Sequence, residues 1–83
     1  MIEEKVRELL EVNVNKLGVY IDSISYEKES GNYFLRIVID SEEGIDLDKC
    51  VEVTNVINPL LDNARIIEDG YTLEVWSKER GEE

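Results

Sequence analysis

The sequence predicts an α+β domain, ordered α-β-β-α-β, in which two helices cover one face of a three-stranded mixed sheet. Three observations carry this. Two segments repeat apolar residues at helical spacing, and three shorter ones are rich in Val, Ile, Leu and Tyr with a period near two. The chain has 83 residues, enough for one hydrophobic core and one domain.

The first helix is predicted over residues 2–17. Ile2, Val6, Leu9, Leu10 and Leu17 fall on one stripe at 3.6 residues per turn, and Glu3, Glu4, Lys5, Arg7, Glu8 and Glu11 lie mostly off it. Glu3 and Glu4 suit the positive end of the helix dipole, and Gly18 stands where a C-terminal cap is expected.

Residues 19–28 read as a strand with broken alternation. Val19 and Ile21 share one parity, while Ile24 and Tyr26 take the other, so a bulge or bend near Asp22-Ser23 is expected. The Ser30-Gly31-Asn32 cluster is a turn. Residues 33–40 make the clearest strand, with Tyr33, Leu35, Ile37 and Ile39 on one face and Phe34, Arg36 and Val38 on the other. The short connection predicts an antiparallel hairpin.

An acidic loop over 41–45 leads to Asp46, the expected N-cap of a second helix running from Leu47 to about Asn58. Leu47, Cys50, Val51, Thr54, Ile57 and Leu61 form its stripe, and Val53, Val56 and Leu60 widen it past 180°. A helix this broadly apolar is expected to touch both the sheet and the first helix. Pro59 lacks an amide proton, which predicts a kink or an end just before it. A loop is expected over 62–70 and a third strand over 71–76, with Tyr71, Leu73 and Val75 inward.

The helical crossover favours a parallel pairing of the second and third strands. With only two helices, both strongly striped, both must cover the same sheet face. Residues 1–77 form the domain, and 78–83 are expected to be a charged, mobile tail.

The charge balance excludes several functions. Nine basic residues stand against twenty acidic ones, a net charge of −11. Such a chain has little material for the basic face of a nucleic-acid binder, so direct nucleic-acid binding is disfavoured, and an anionic membrane repels it. Basic proteins are its natural electrostatic partners, although the same charge also serves solubility alone. No apolar run approaches bilayer-spanning length, the N-terminus reads as a helix start, and the single Cys50 suits a reducing compartment, so a cytoplasmic location is expected.

No chemistry of an enzyme is legible. The absence of His removes the commonest general base and metal ligand and any Ser-His or Cys-His nucleophile. Cys50 lies on a helical apolar stripe, as a buried small hydrophobe does. The acidic run Asp40, Glu42, Glu43, Asp46 and Asp48 around Gly44 does not have the spacing of an EF-hand loop, and reads as a solvated acidic surface leading into a helix. Gly31, Gly44 and Gly70 are isolated, so no Gly-rich phosphate loop exists. The element order is similar to that of KH RNA-binding domains, but their Gly-x-x-Gly clamp is missing. No catalytic residue, metal ligand or cofactor is expected. The uncovered sheet face instead carries Phe34, Arg36, Val38 and Trp76, the candidate partner contacts.

Several segments resemble one family. Leu17-Gly18-Val19-Tyr20-Ile21-Asp22-Ser23-Ile24-Ser25-Tyr26, Leu35-Arg36-Ile37-Val38-Ile39-Asp40, Gly44-Ile45-Asp46-Leu47-Asp48-Lys49-Cys50, Leu60-Leu61-Asp62 and Tyr71-Thr72-Leu73-Glu74-Val75 are similar, in order, to the N-terminal domain of the bacterial ribosome maturation factor RimP. Thr54 stands where that family usually has Ser. After the third strand the family continues as Ser-Ser-Pro-Gly into an SH3-like domain. Here Trp76-Ser77-Lys78-Glu79-Arg80-Gly81 stands instead, and the SH3-like domain is absent from the 83 residues. The resemblance implies a non-catalytic factor in small ribosomal subunit assembly. Its implied partner is an assembly intermediate or a basic ribosomal protein. The competing reading is a standalone acidic interaction module, homodimeric through its open sheet face, with no ribosomal role.

Overall fold

The computed structural model describes residues 1–78 and 81–82. Helix α1 spans Ile2–Asn15, strand β1 Tyr20–Glu29, β2 Asn32–Asp40, helix α2 Leu47–Ala64, β3 Tyr71–Ser77 and β4 Gly81–Glu82. The sheet order is β1-β2-β3-β4. The β1–β2 pair is antiparallel and the β2–β3 pair parallel, so the three long strands form the expected mixed sheet with the expected α-β-β-α-β order.

The hairpin closes through two residues, Ser30 and Gly31, with φ of 51° and 85°. Positive φ at both central positions is the type I′ pattern, whose twist matches that of paired strands, and glycine adopts it without a Cβ clash. Further along the pair, Ile21 faces Ile39 but Ser23 faces Val38, so Asp22 is the extra residue of a β-bulge. The bulge resets parity. Ile21 on one side of it, and Ile24 and Tyr26 on the other, all turn toward the helices.

Leu35, Ile37 and Ile39 on the covered face of β2 are fully buried, as are Val6, Leu10 and Val14 of α1 and Val53 and Ile57 of α2. One core therefore lies between the sheet and both helices, as the two apolar stripes require. Each helix is also tied down at its ends. Arg7 donates to the Ile21 carbonyl at 3.2 Å, and Lys49 Nζ donates to the Leu17 carbonyl, just past α1, at 3.1 Å. The α1 ladder stops at Asn15, two residues before the expected end. The chain then tightens through Leu17 N–H to Val14 and Gly18 N–H to Asn15, both at 3.0 Å, with Gly18 at φ 85°.

Helix α2 departs from expectation twice. It runs unbroken through Pro59 to Ala64, so most of the loop expected over 62–70 begins only at Arg65. A proline inside a helix frees the carbonyl four residues earlier. Here that carbonyl belongs to Asn55, and Asn55 and Pro59 both lie on the exposed side, where water can satisfy it. Leu61, 4% exposed, holds the last turn in the core. Secondly, the buried arc is Cys50, Val53, Ile57 and Leu61, whereas Leu47 and Val51 are 55% and 52% exposed. The apolar stripe was wider than the available contact surface, and packing against α1 selected which arc went inside.

At the C-terminal end, Lys78 N–H donates to the Ile39 carbonyl at 2.9 Å, and Gly81–Glu82 adds a fourth, two-residue strand antiparallel to Trp76–Ser77. The expected mobile tail over 78–83 otherwise falls on positions 79, 80 and 83, outside the described residues.

Candidate interaction surfaces

The face of the sheet turned away from the helices is organised around Arg36. Strand alternation puts Phe34, Arg36 and Val38 on that face, and the parallel register sets them beside Thr72, Glu74 and Trp76 of β3. From β1 the same face receives Glu27 and Glu29. The guanidinium lies 5.4 Å from the Phe34 ring centroid and 5.6 Å from that of Trp76. Its Nε donates to Glu74 at 2.6 Å, its two terminal nitrogens meet the two Glu29 oxygens at 3.1 and 3.2 Å, and Glu27 lies 3.7 Å away.

The hydrogen bonds that Arg36 donates to Glu74 and then to Glu29 hold its pKa above its already high ordinary value, so this cation is permanent. Three carboxylates around one guanidinium leave the cluster with a surplus of negative charge. It is a tied aromatic–cation lattice with a negative rim. The structure brings all four sequence-predicted contacts, Phe34, Arg36, Val38 and Trp76, onto this one face, each part-buried. Trp76 Nε1 is buried and has no acceptor among the described residues.

The residues of the predicted acidic surface have separate local surroundings. Asp40, at the end of β2, accepts from the Tyr20 hydroxyl at 3.2 Å and from Ser41 N–H at 2.8 Å. The Asp40 hydrogen bond, and then its charge, raise the Tyr20 pKa above the ordinary 10.0. Glu42 and Glu43 border a hollow with Gly18 and Tyr20. Asp46 and Asp48 border a hollow on the exposed side of α2 together with Lys49 and Glu52. Asp46 also has a local task, since its carboxylate accepts Lys49 N–H at 2.8 Å and caps α2. Among the described residues, no group of three or more Asp, Glu, Cys or His is placed to hold a metal ion. Cys50 is 4% exposed and belongs to the core.

One surface was missed by sequence reasoning. Leu47, Cys50, Val51, Thr54, Asn55 and Val75 line a groove of about 230 Å³ between α2 and the outer margin of β3. The only signal in the sequence was the excess width of the α2 stripe, which implied that some apolar residues would remain outside.

The mixed sheet, the pair of helices on one face and the capped start of α2 are joined here by a direct comparison. The profile described as the RimP N-terminal domain matches residues 4–78. The chain belongs to the RimP N-terminal domain family. In this RimP N-terminal domain the match begins two residues into α1 and ends one residue past β3, so it takes in both helices and all three long strands. Membership indicates a ribosome-maturation-factor-like role. No helix among the described residues is long and apolar enough to cross a membrane.

Proposed function

We propose that this RimP N-terminal domain is a non-catalytic docking domain of the cytoplasm. It assists small ribosomal subunit assembly by binding an assembly intermediate or a basic ribosomal protein. The observation that carries the reading is the family match over residues 4–78. Its physical support is the net charge of −11, which attracts basic protein surfaces and repels bare phosphate. The proposed contacts are Phe34, Arg36, Val38 and Trp76, where large side chains are held in place beforehand by the Arg36 ion pairs. Preorganised side chains lose less freedom on binding.

Co-sedimentation with immature small subunits tests the reading. The expected result is binding at low salt that weakens at moderate salt, as screening shortens the reach of the charges. Failure to sediment at any salt removes the ribosomal role for this chain. Phe34→Ala and Trp76→Ala are expected to weaken sedimentation more than they lower the melting temperature. The reverse pattern would place both residues in the structural framework instead. The alternative, a homodimer through the same face, requires a mass by light scattering that rises with protein concentration.

A further inference from the structure

The two outer strands of the sheet are built differently. β1 carries a bulge at Asp22 and four charged residues, Asp22, Glu27, Lys28 and Glu29. Bulges and charges are the devices by which proteins keep an outer strand from pairing with another chain. β3 reads Tyr-Thr-Leu-Glu-Val-Trp-Ser, with no bulge, no proline and no lysine. Its one charge, Glu74, is drawn inward by the 2.6 Å bond to Arg36. β4 covers only Trp76 and Ser77, so among the described residues Tyr71–Val75 has no strand on its outer side. That stretch is rich in the aromatic and β-branched residues that favour pairing.

The groove beside this margin supplies side-chain pockets. Leu47 and Val51, one turn apart on α2, are exposed apolar residues that line it, together with Val75 of β3. The opposite face of the same margin carries Thr72 and Glu74, beside the carboxylates gathered around Arg36. A free strand margin next to an apolar groove is the geometry of strand addition, in which main-chain hydrogen bonds supply affinity and alternate side chains supply specificity.

We propose that the Tyr71–Val75 margin is a strand-addition site for an extended basic segment of a partner protein, with its apolar residues on Leu47, Val51 and Val75 and its alternating Lys or Arg residues on the opposite face of the sheet, toward Glu74 and the surplus carboxylates around Arg36. Charge selects this occupant over a second copy of the chain, since two margins from copies of charge −11 repel. The inference rests on the docking reading above only for the partner's positive charge.

The probe is a capped heptapeptide of alternating Lys and Val, compared with the same peptide N-methylated at alternate residues. N-methylation removes the main-chain donors and leaves the charge. Amide exchange and chemical shifts are followed by NMR. The unmethylated peptide is expected to bind with a Kd below about 1 mM and to protect outward amides within Tyr71–Val75, and the methylated one to bind at least tenfold more weakly. Val51→Lys is expected to weaken binding about tenfold without lowering the melting temperature, and Val12→Lys, at an exposed α1 position, to leave it unchanged. Equal binding of both peptides, or protection confined to other strands, overturns the proposal, as does no binding at all. The two readings fail separately. A parent chain that takes up the peptide at β3 but never sediments with subunits loses the ribosomal role alone. A Val51→Lys chain that binds the peptide as the parent does loses the strand-addition site alone.

Discussion

Asp46 belongs to the acidic surface and also caps α2, and substitution separates the two. Its backbone is extended, with φ −97° and ψ 177°, its carbonyl accepts Cys50 N–H at 3.2 Å, and its side chain accepts Lys49 N–H at 2.8 Å. Replacing such a cap by Ala costs about 1 kcal/mol. Unfolding entropy near 2.1 cal/mol/K per residue gives about 0.17 kcal/mol/K for 83 residues, so Asp46→Ala should lower Tm by about 6 °C. Asp46→Ser keeps an acceptor and removes the charge, and should stay within about 2 °C of the parent. Asp48→Ala removes one charge from the first turn without touching the cap. Its loss is the dipole contribution, about 0.3–1 kcal/mol, and should vanish in 1 M NaCl, where the screening length is about 3 Å. The assay is thermal unfolding followed by circular dichroism in low salt and in 1 M NaCl. If Asp46→Ser falls as far as Asp46→Ala, or if the Asp46→Ala loss disappears in 1 M NaCl, charge and not geometry holds the helix start, and the capping argument is wrong.

Three further outcomes are expected. Ile57→Ala, at a fully buried site, should cost about 2–5 kcal/mol in urea unfolding, whereas Val51→Ala, half exposed on the same helix, should stay within about 0.5 kcal/mol. Comparable losses would contradict the assigned buried arc. Pro59→Ala should stabilise the domain by about 1–3 kcal/mol by restoring the amide donor and relieving the ring clash at an exposed helical position, and a lower midpoint would show that Pro59 has a packing role. Tyr20 titrates above its ordinary value because its hydroxyl donates to Asp40, so this bond's stabilisation is present below about pH 10 and is lost as pH rises through the folded-state pKa. In spectrophotometric titration the step that Tyr20→Phe removes should therefore lie above the ordinary tyrosine range, and loss of a step within that range would refute the bond.

What was legible in the residues was local. The alternation of β2 needs only the strand's own period, and the parity break in β1 called for a bulge or bend near Asp22-Ser23 because each half had enough apolar residues to declare its face; the register places a bulge at Asp22. The α2 cap was readable because Asp46 and its acceptor geometry lie within four residues. The Arg36 cluster was only half legible. Its place on the open face followed from alternation, but its partners come from two other strands and depend on which strands neighbour β2.

The sequence alone thus determined the order of the two helices and three long strands, the covered side of each strand, the excess negative charge and the absence of His, all properties of residue type and short-range period. The tertiary structure decided which arc of α2 was buried, that Pro59 could sit inside a helix, and that, among the described residues, only Trp76 and Ser77 of β3 have a strand on their outer side. Those outcomes turn on competition for a limited contact area. An apolar stripe can specify that a helix must pack, but where it is wider than the surface offered to it, only the position of α1 and the sheet settles which residues remain in water.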